Sequence, residues 1–141
     1  MKKVRNHFVL LTAAVFALLL VINKPVAAQV KAKAWPVPEA EKAKKSTVKM
    51  TDAAVIASGK ELWMKHCKSC HGAKGLGDGA KAATLKTLPG DFSTAEFQKS
   101  TDGELYYKVS KGRDEMPAYD KKIPDASDMW AVVAFMRTLK K

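Results

Sequence analysis

Cysteine is scarce: the 141-residue chain has two, Cys67 and Cys70. Two cysteines cannot form the disulfide framework that holds small secreted domains together, nor a four-cysteine structural zinc site. Strict alternation of apolar and polar residues is absent as well, which argues against half-buried β-strands. There is no arginine-rich groove with interleaved aromatics, so nucleic acid is not an expected partner. Nor is there a separate constellation of acid, base and nucleophile, so the chain is not expected to be an enzyme by itself. Apolar content is not lacking. With 47% hydrophobic and 8% aromatic residues the chain can bury a core, and its length suits one compact domain.

Positive charge is abundant and unevenly placed: the net charge is +11, from 25 Lys and Arg against 14 Asp and Glu. Residues 1–28 read as an export signal. Lys2, Lys3 and Arg5 form a basic start, Phe8 to Ile22 is an apolar run of 15 residues, and Val26-Ala27-Ala28 offers small residues before Gln29. The run is shorter than the roughly 20 residues of a spanning helix yet long for a signal, so cleavage after Ala28 and retention as an inner-membrane anchor both stand. No cysteine follows it, which disfavours a lipoprotein. Either way the remainder is expected in the periplasm, soluble or anchored to the inner membrane.

Without residues 1–28, which hold four cations and no acid, the charge is +7. Residues 29–50 carry six lysines, two glutamates, Pro36 and Pro38, and read as a basic linker, extended at Trp35 to Pro38 and helical near Glu39 to Lys45. Such a tail suits an acidic protein partner or anionic headgroups, and equally a solvated spacer. Residues 51–141 are the expected folded domain, with a mild +3.

Within that domain the apolar positions recur at helical spacing. Thr51 or Asp52 caps a helix running to about His66, with Val55, Ile56, Leu62 and Trp63 apolar and Gly59 allowing close approach of another element. Asp102 to about Lys111 forms a second, with Leu105, Tyr106 and Val109 inward and Gly112 as its stop. The third begins near Pro124 to Asp128 and runs to Leu139, with acids at its start and Arg137, Lys140 and Lys141 at its end, as the helix dipole favours. Between the first two lies Gly72 to Thr101, a long glycine-rich stretch that something other than regular structure must order.

Cys67-Lys68-Ser69-Cys70-His71 accounts for that stretch. Two cysteines two residues apart on a helical turn can each form a thioether to a haem vinyl group, and the next histidine then ligates the iron. A thioredoxin-like dithiol would follow a strand, and none precedes this pair; zinc would need two more ligands, and only His7 and His66 remain as histidines. For the opposite side of the iron the candidates are methionines. Met64 reads as core and His66 as surface, both too close in sequence to reach around the ring; Met50 lies in the linker. Met129 and Met136 are seven apart with Val132 and Val133 between them, the spacing of an inward helix face. Met116 remains, 45 residues past His71 and followed by Pro117 in a loop that can fold over the second face.

These residues resemble the class I c-type cytochromes, especially small bacterial single-haem members and the related haem domains of oxidases and dehydrogenases. The resemblance covers about residues 52–140 and rests on Gly59 to Trp63, Cys67 to Gly72, Gly75 to Gly79, Met116 to Tyr119 and Trp130 to Arg137. It implies an all-α cytochrome c-like fold, three or more helices wrapped around one covalently bound haem c. The first and last helices would cross, setting Gly59 and Trp63 against Trp130 to Phe135. It also implies a proline carbonyl that orients the proximal imidazole, for which Pro89 is the candidate.

The expected activity is one-electron transfer by a haem bound through Cys67 and Cys70 and ligated by His71 and Met116, as a periplasmic carrier in a respiratory or related redox chain. A haem c subunit of a larger membrane oxidoreductase complex, and a ligand-binding or peroxidase-like haem protein with an open iron, are the alternatives. Expected partners are donor and acceptor proteins, with residues 1–28 a potential membrane tether. Lys65, Lys68 and Lys74 beside the attachment site, and Lys108, Lys111, Lys121 and Lys122 around the methionine loop, either steer an acidic partner or form a solvated face.

Overall fold

A computed structural model describes residue 30 and residues 33–141. The expected signal or anchor, residues 1–28, lies outside the described residues. The helices in chain order are α1 (Glu39–Lys42), α2 (Ala53–His66), α3 (Lys68–His71), α4 (Ala95–Gln98), α5 (Asp102–Lys111) and α6 (Ala126–Thr138), with a 3-10 turn at Ala82–Thr84. The described residues contain no strand beyond two isolated bridges, Val30 with Thr87 and Arg113 with Met116. The fold is all-α, as expected.

The three long helices start where capping chemistry allows. Asp52, in extended conformation, accepts from Ala54 N at 2.8 Å and Val55 N at 3.3 Å. Thr101 Oγ1 accepts from Glu104 N at 3.1 Å at the head of α5, and Asp125 from Ser127 N at 2.7 Å at the head of α6. Each bond satisfies an amide that has no partner inside its own helix. The Asp125 carboxyl is held below the usual carboxylate range by the Ser127 hydroxyl and amide. Gly112, at φ +63°, ends α5.

Packing then follows from one crossing. α2 lies against α6 at Gly59, where a Cβ would collide with the Ala131 carbonyl. Beside it Trp63 packs its ring 5.7 Å from Phe135 and edge-on to Phe92 at 5.5 Å. Every residue of α6 from Met129 to Met136 is buried, which makes this helix apolar on all sides rather than on one face. Arg137 pins its end: Nε donates to Asp102 Oδ1 at 2.7 Å and one terminal nitrogen to the Gln98 carbonyl at 3.1 Å. Because the Gly59 contact is with backbone, Gly59→Val cannot be absorbed by a rotamer change. It is expected to cost about 3 kcal/mol of stability, read as a lowered denaturant midpoint of the haem-loaded protein; an unchanged midpoint would show that the crossing relaxes freely.

Residues 33–50 correct the composition-based reading. Composition reads residues 29–50 as a basic linker, either a partner-binding tail or a solvated spacer, but residues 33–50 pack on the domain. Val37 is 6% exposed, and Thr101 Oγ1 donates to the Lys42 carbonyl at 2.8 Å. α1 sits so close to α5 that a Cβ on Gly103 would strike the Glu41 carbonyl. The helix is also shorter than expected, ending at Lys42 rather than Lys45. Residues 33–38 have no regular secondary structure, and Arg113 donates to the Ala34 carbonyl at 2.9 Å and the Lys33 carbonyl at 3.0 Å. Lysine side chains stay in solvent while the apolar residues and backbone between them dock, so charge count alone does not make a segment a spacer.

Candidate functional site

The two cysteines and His71 are set by the end of one helix and the start of the next. α2 stops at His66, Cys67 caps it, and the single turn α3 carries Cys70 and His71, with His71 N donating to the Cys67 carbonyl at 3.0 Å. The turn is tied from both sides. Trp63 Nε1, buried in α2, donates to the Gly72 carbonyl at 3.0 Å, and Gly77 N donates to the His71 carbonyl at 3.0 Å. The long segment after it therefore folds back on the attachment turn, as the glycine-rich composition requires.

Met116 comes from a different part of the chain. Arg113 N donates to the Met116 carbonyl at 2.8 Å and Met116 N to the Arg113 carbonyl at 2.9 Å, closing a tight turn that has Asp114 at φ +51°. Asp tolerates that left-handed conformation better than most residues. Three residues on, Tyr119 OH donates to the His66 carbonyl at 2.9 Å, tying the methionine loop to the end of α2.

Cys67, Cys70, His71 and Met116 all line one cavity of about 570 Å³. That volume is within the roughly 300–1,000 Å³ typical of cofactor sites. Its apolar wall includes Leu85, Phe97, Leu105, Val109 and Val132. Pro89, the expected partner of the imidazole, is on the same wall.

Electrostatics fit a bound haem. Burial pushes the His71 imidazole down to about 4, with the Pro89 carbonyl opposing that shift. His71 Nδ1 is enclosed with no fully formed hydrogen bond, so the Pro89 carbonyl acts on the ring without completing the expected bond. The ring as a whole is half-buried, its open part facing the cavity. A neutral, underbonded imidazole on an apolar wall is the protonation state that metal ligation requires. The thiols point the same way. Burial and the neighbouring Cys70 push Cys67 up to about 12, the reverse of the depressed value a redox dithiol needs. Burial, then Cys67 and Cys70, raise Tyr119 to about 12 also. Among the described residues no group of three or more His, Cys, Asp or Glu side chains is placed to hold a metal ion.

One reading of a single residue needs correction. His66, expected at the surface, is half-buried, lines the cavity and packs its ring 5.9 Å from Tyr119; burial and the nearby Lys65 and Lys122 lower its pKa. Met136 is core, as expected, but it also touches the cavity wall. The two methionines differ in what they offer. Met136 is 3% exposed, its surface spent on packing in α6, whereas Met116 is half-buried and keeps open surface at the cavity.

Sequence reasoning missed Trp35, Arg113 and Glu115. The Arg113 guanidinium lies 4.5 Å from the Trp35 ring centroid, and both residues line the cavity. Trp35 is visible in sequence only as an aromatic in a basic linker, and the hydrogen-bond partners of Arg113 and Glu115 are backbone groups, which carry no sequence signature.

Residues 56–140 match the family model described as Cytochrome c. No curated protein matches the chain. Among solved structures, a chain of the Kuenenia stuttgartiensis reducing HAO-like protein complex Kustc0457/Kustc0458 is 22% identical with a TM-score of 0.58, over 73% of this chain and 55% of that one. This chain thus spans about half the length of that neighbour. The KustC0563 c-type cytochrome is 31% identical with a TM-score of 0.48, over 59% of this chain and 98% of that one.

Proposed function

Because the chain belongs to the cytochrome c family, whose covalently bound haem c serves electron transfer, we propose that it is a one-electron carrier with a single haem attached at Cys67 and Cys70 and ligated by His71 and Met116. The observation that carries this reading is the convergence of all four side chains on one apolar cavity. When bound, the haem supplies an iron that changes oxidation state by one electron.

The protein's part is to hold that iron alike in both states. His71 offers a neutral imidazole because burial disfavours its charged form. Met116 offers a soft sulphur from a braced turn, and Met/His ligation raises the reduction potential. Leu105, Val109 and Val132 line the cavity and would keep water from a bound haem and disfavour the extra charge of its oxidised state, which would raise the potential further. With both His71 and Met116 holding the iron, no position would be left for a substrate.

Location and partners belong to the same proposal. Lys2, Lys3 and Arg5 followed by the apolar run support export, with the haem domain working in the periplasm, free or tethered, within a respiratory or related redox chain. Donor and acceptor are proteins. Co-purification from native membranes distinguishes a docked subunit from a free carrier. A potentiometric titration of the matured full chain is expected to give one wave of a single electron. Two waves, or substrate turnover by the isolated protein, would contradict the proposal.

A further inference from the structure

Glu115 precedes the proposed ligand and has no part in the function derived so far. Its carboxylate reaches the backbone of a distant loop: Oε2 accepts from Lys86 N at 2.8 Å and Thr87 N at 3.1 Å, and Oε1 from Lys86 N at 3.1 Å. That loop is held a second time, by Val30, whose N donates to the Lys86 carbonyl at 3.2 Å and whose carbonyl accepts from Leu88 N at 3.1 Å. It continues into Pro89, whose carbonyl bears on His71. The third side of the figure is Arg113. Its backbone pairs with Met116, and its guanidinium holds the carbonyls of Lys33 and Ala34. Val30 with residues 33–35, residues 86–89 and residues 113–116 are thereby joined pairwise by hydrogen bonds, and each of the three groups contributes residues to the cavity wall.

We infer that these three segments form a clasp that keeps Met116 at its ligating position, with Glu115 as the positioning residue. The inference rests on the reading of Met116 as ligand. A ligand carried on a loop must have that loop's freedom restricted, and each backbone residue left free opposes ligation by its conformational entropy. The turn from Arg113 to Met116 restrains itself, but nothing within it fixes its distance from the proximal side. The Glu115 bonds do so, because they tie the residue next to Met116 to the loop that leads to Pro89. They are charge-assisted and so the stronger kind.

The test compares haem-loaded full chains: wild type, Glu115→Ala, Glu115→Gln and Lys86→Ala. The readouts are the rate of carbon monoxide binding to the reduced protein and hydrogen exchange at the Lys86 and Thr87 amides. Glu115→Ala is expected to bind carbon monoxide about tenfold faster than wild type, the scale of losing one charge-assisted bond at an exposed site. Exchange at both amides should quicken with it. Glu115→Gln, which keeps a neutral acceptor, is expected to fall between. Lys86→Ala is expected to match wild type, since only its amide takes part. A closed wild type with an equally closed Glu115→Ala would overturn the clasp while leaving Met116 as ligand. A wild type that binds carbon monoxide at once would overturn the ligand assignment, and the clasp with it.

Discussion

Met116→Leu is expected to open the iron. Leucine fills similar space on the cavity wall but has no sulphur, so the reduced variant should take up carbon monoxide readily where wild type does not. Its reduction potential should fall by on the order of 100 mV, part of the roughly 0.8 V range that axial ligands command. Met136→Leu is the decisive control, because Met136 also lines the cavity. At 3% exposure Met136 is committed to packing in α6, and its replacement should cost under about 1.5 kcal/mol of stability while leaving spectrum and potential in place. The opposite pattern, with Met136→Leu opening the site and Met116→Leu silent, would move the ligand onto α6.

Replacing both Cys67 and Cys70 by serine should remove covalent attachment altogether. Either single replacement leaves one thioether, so haem should still migrate with the denatured chain; in the double variant it should extract completely into acidified organic solvent. The consequence for folding is large. Without the haem proposed to fill it, the apolar lining of the 570 Å³ cavity would face water, an unfavourable exposure in a domain whose whole stability is about 5–15 kcal/mol. A chain matured without haem is therefore expected to lose its cooperative unfolding transition, seen by near-ultraviolet dichroism and thermal melting. A haem-free chain with a sharp transition near that of the loaded protein would mean that α2, α5 and α6 hold together without the ring, and that the cavity is smaller in solution.

Local signals were the legible ones. Asp52 and Asp125 announce helices because a capping side chain acts within three residues of itself, and the run from Met129 to Met136 shows its burial in its own apolar content. Cys67, Cys70 and His71 are adjacent in sequence and share a single turn, so their joint chemistry needed no tertiary information. Met116 was reached by elimination, with Met64, Met129 and Met136 reading as core, Met50 as linker and Met1 beginning the chain.

What stayed hidden depends on partners far away in the chain. The docking of residues 33–50 turns on Thr101 and Gly103, some 60 positions distant, and on carbonyls that every residue possesses. Glu115 meets amides 28 and 29 positions back, and Arg113 meets carbonyls 79 and 80 positions back. Such bonds join side chains to backbone, so no pairing of residue types betrays them. His66 was misplaced for a related reason: its position at the end of α2 looked exposed until Tyr119 and the cavity were set beside it.

The most direct test of the account is the optical spectrum of the matured full-length protein in its oxidised and reduced forms. A low-spin haem in both states, with a sulphur-to-iron charge-transfer band in the oxidised one, is the predicted result, because it requires a methionine sulphur and a second strong ligand, the roles assigned to Met116 and His71, on the same iron. A high-spin or five-coordinate reduced haem without that band would contradict the central claim and redirect the protein to ligand binding.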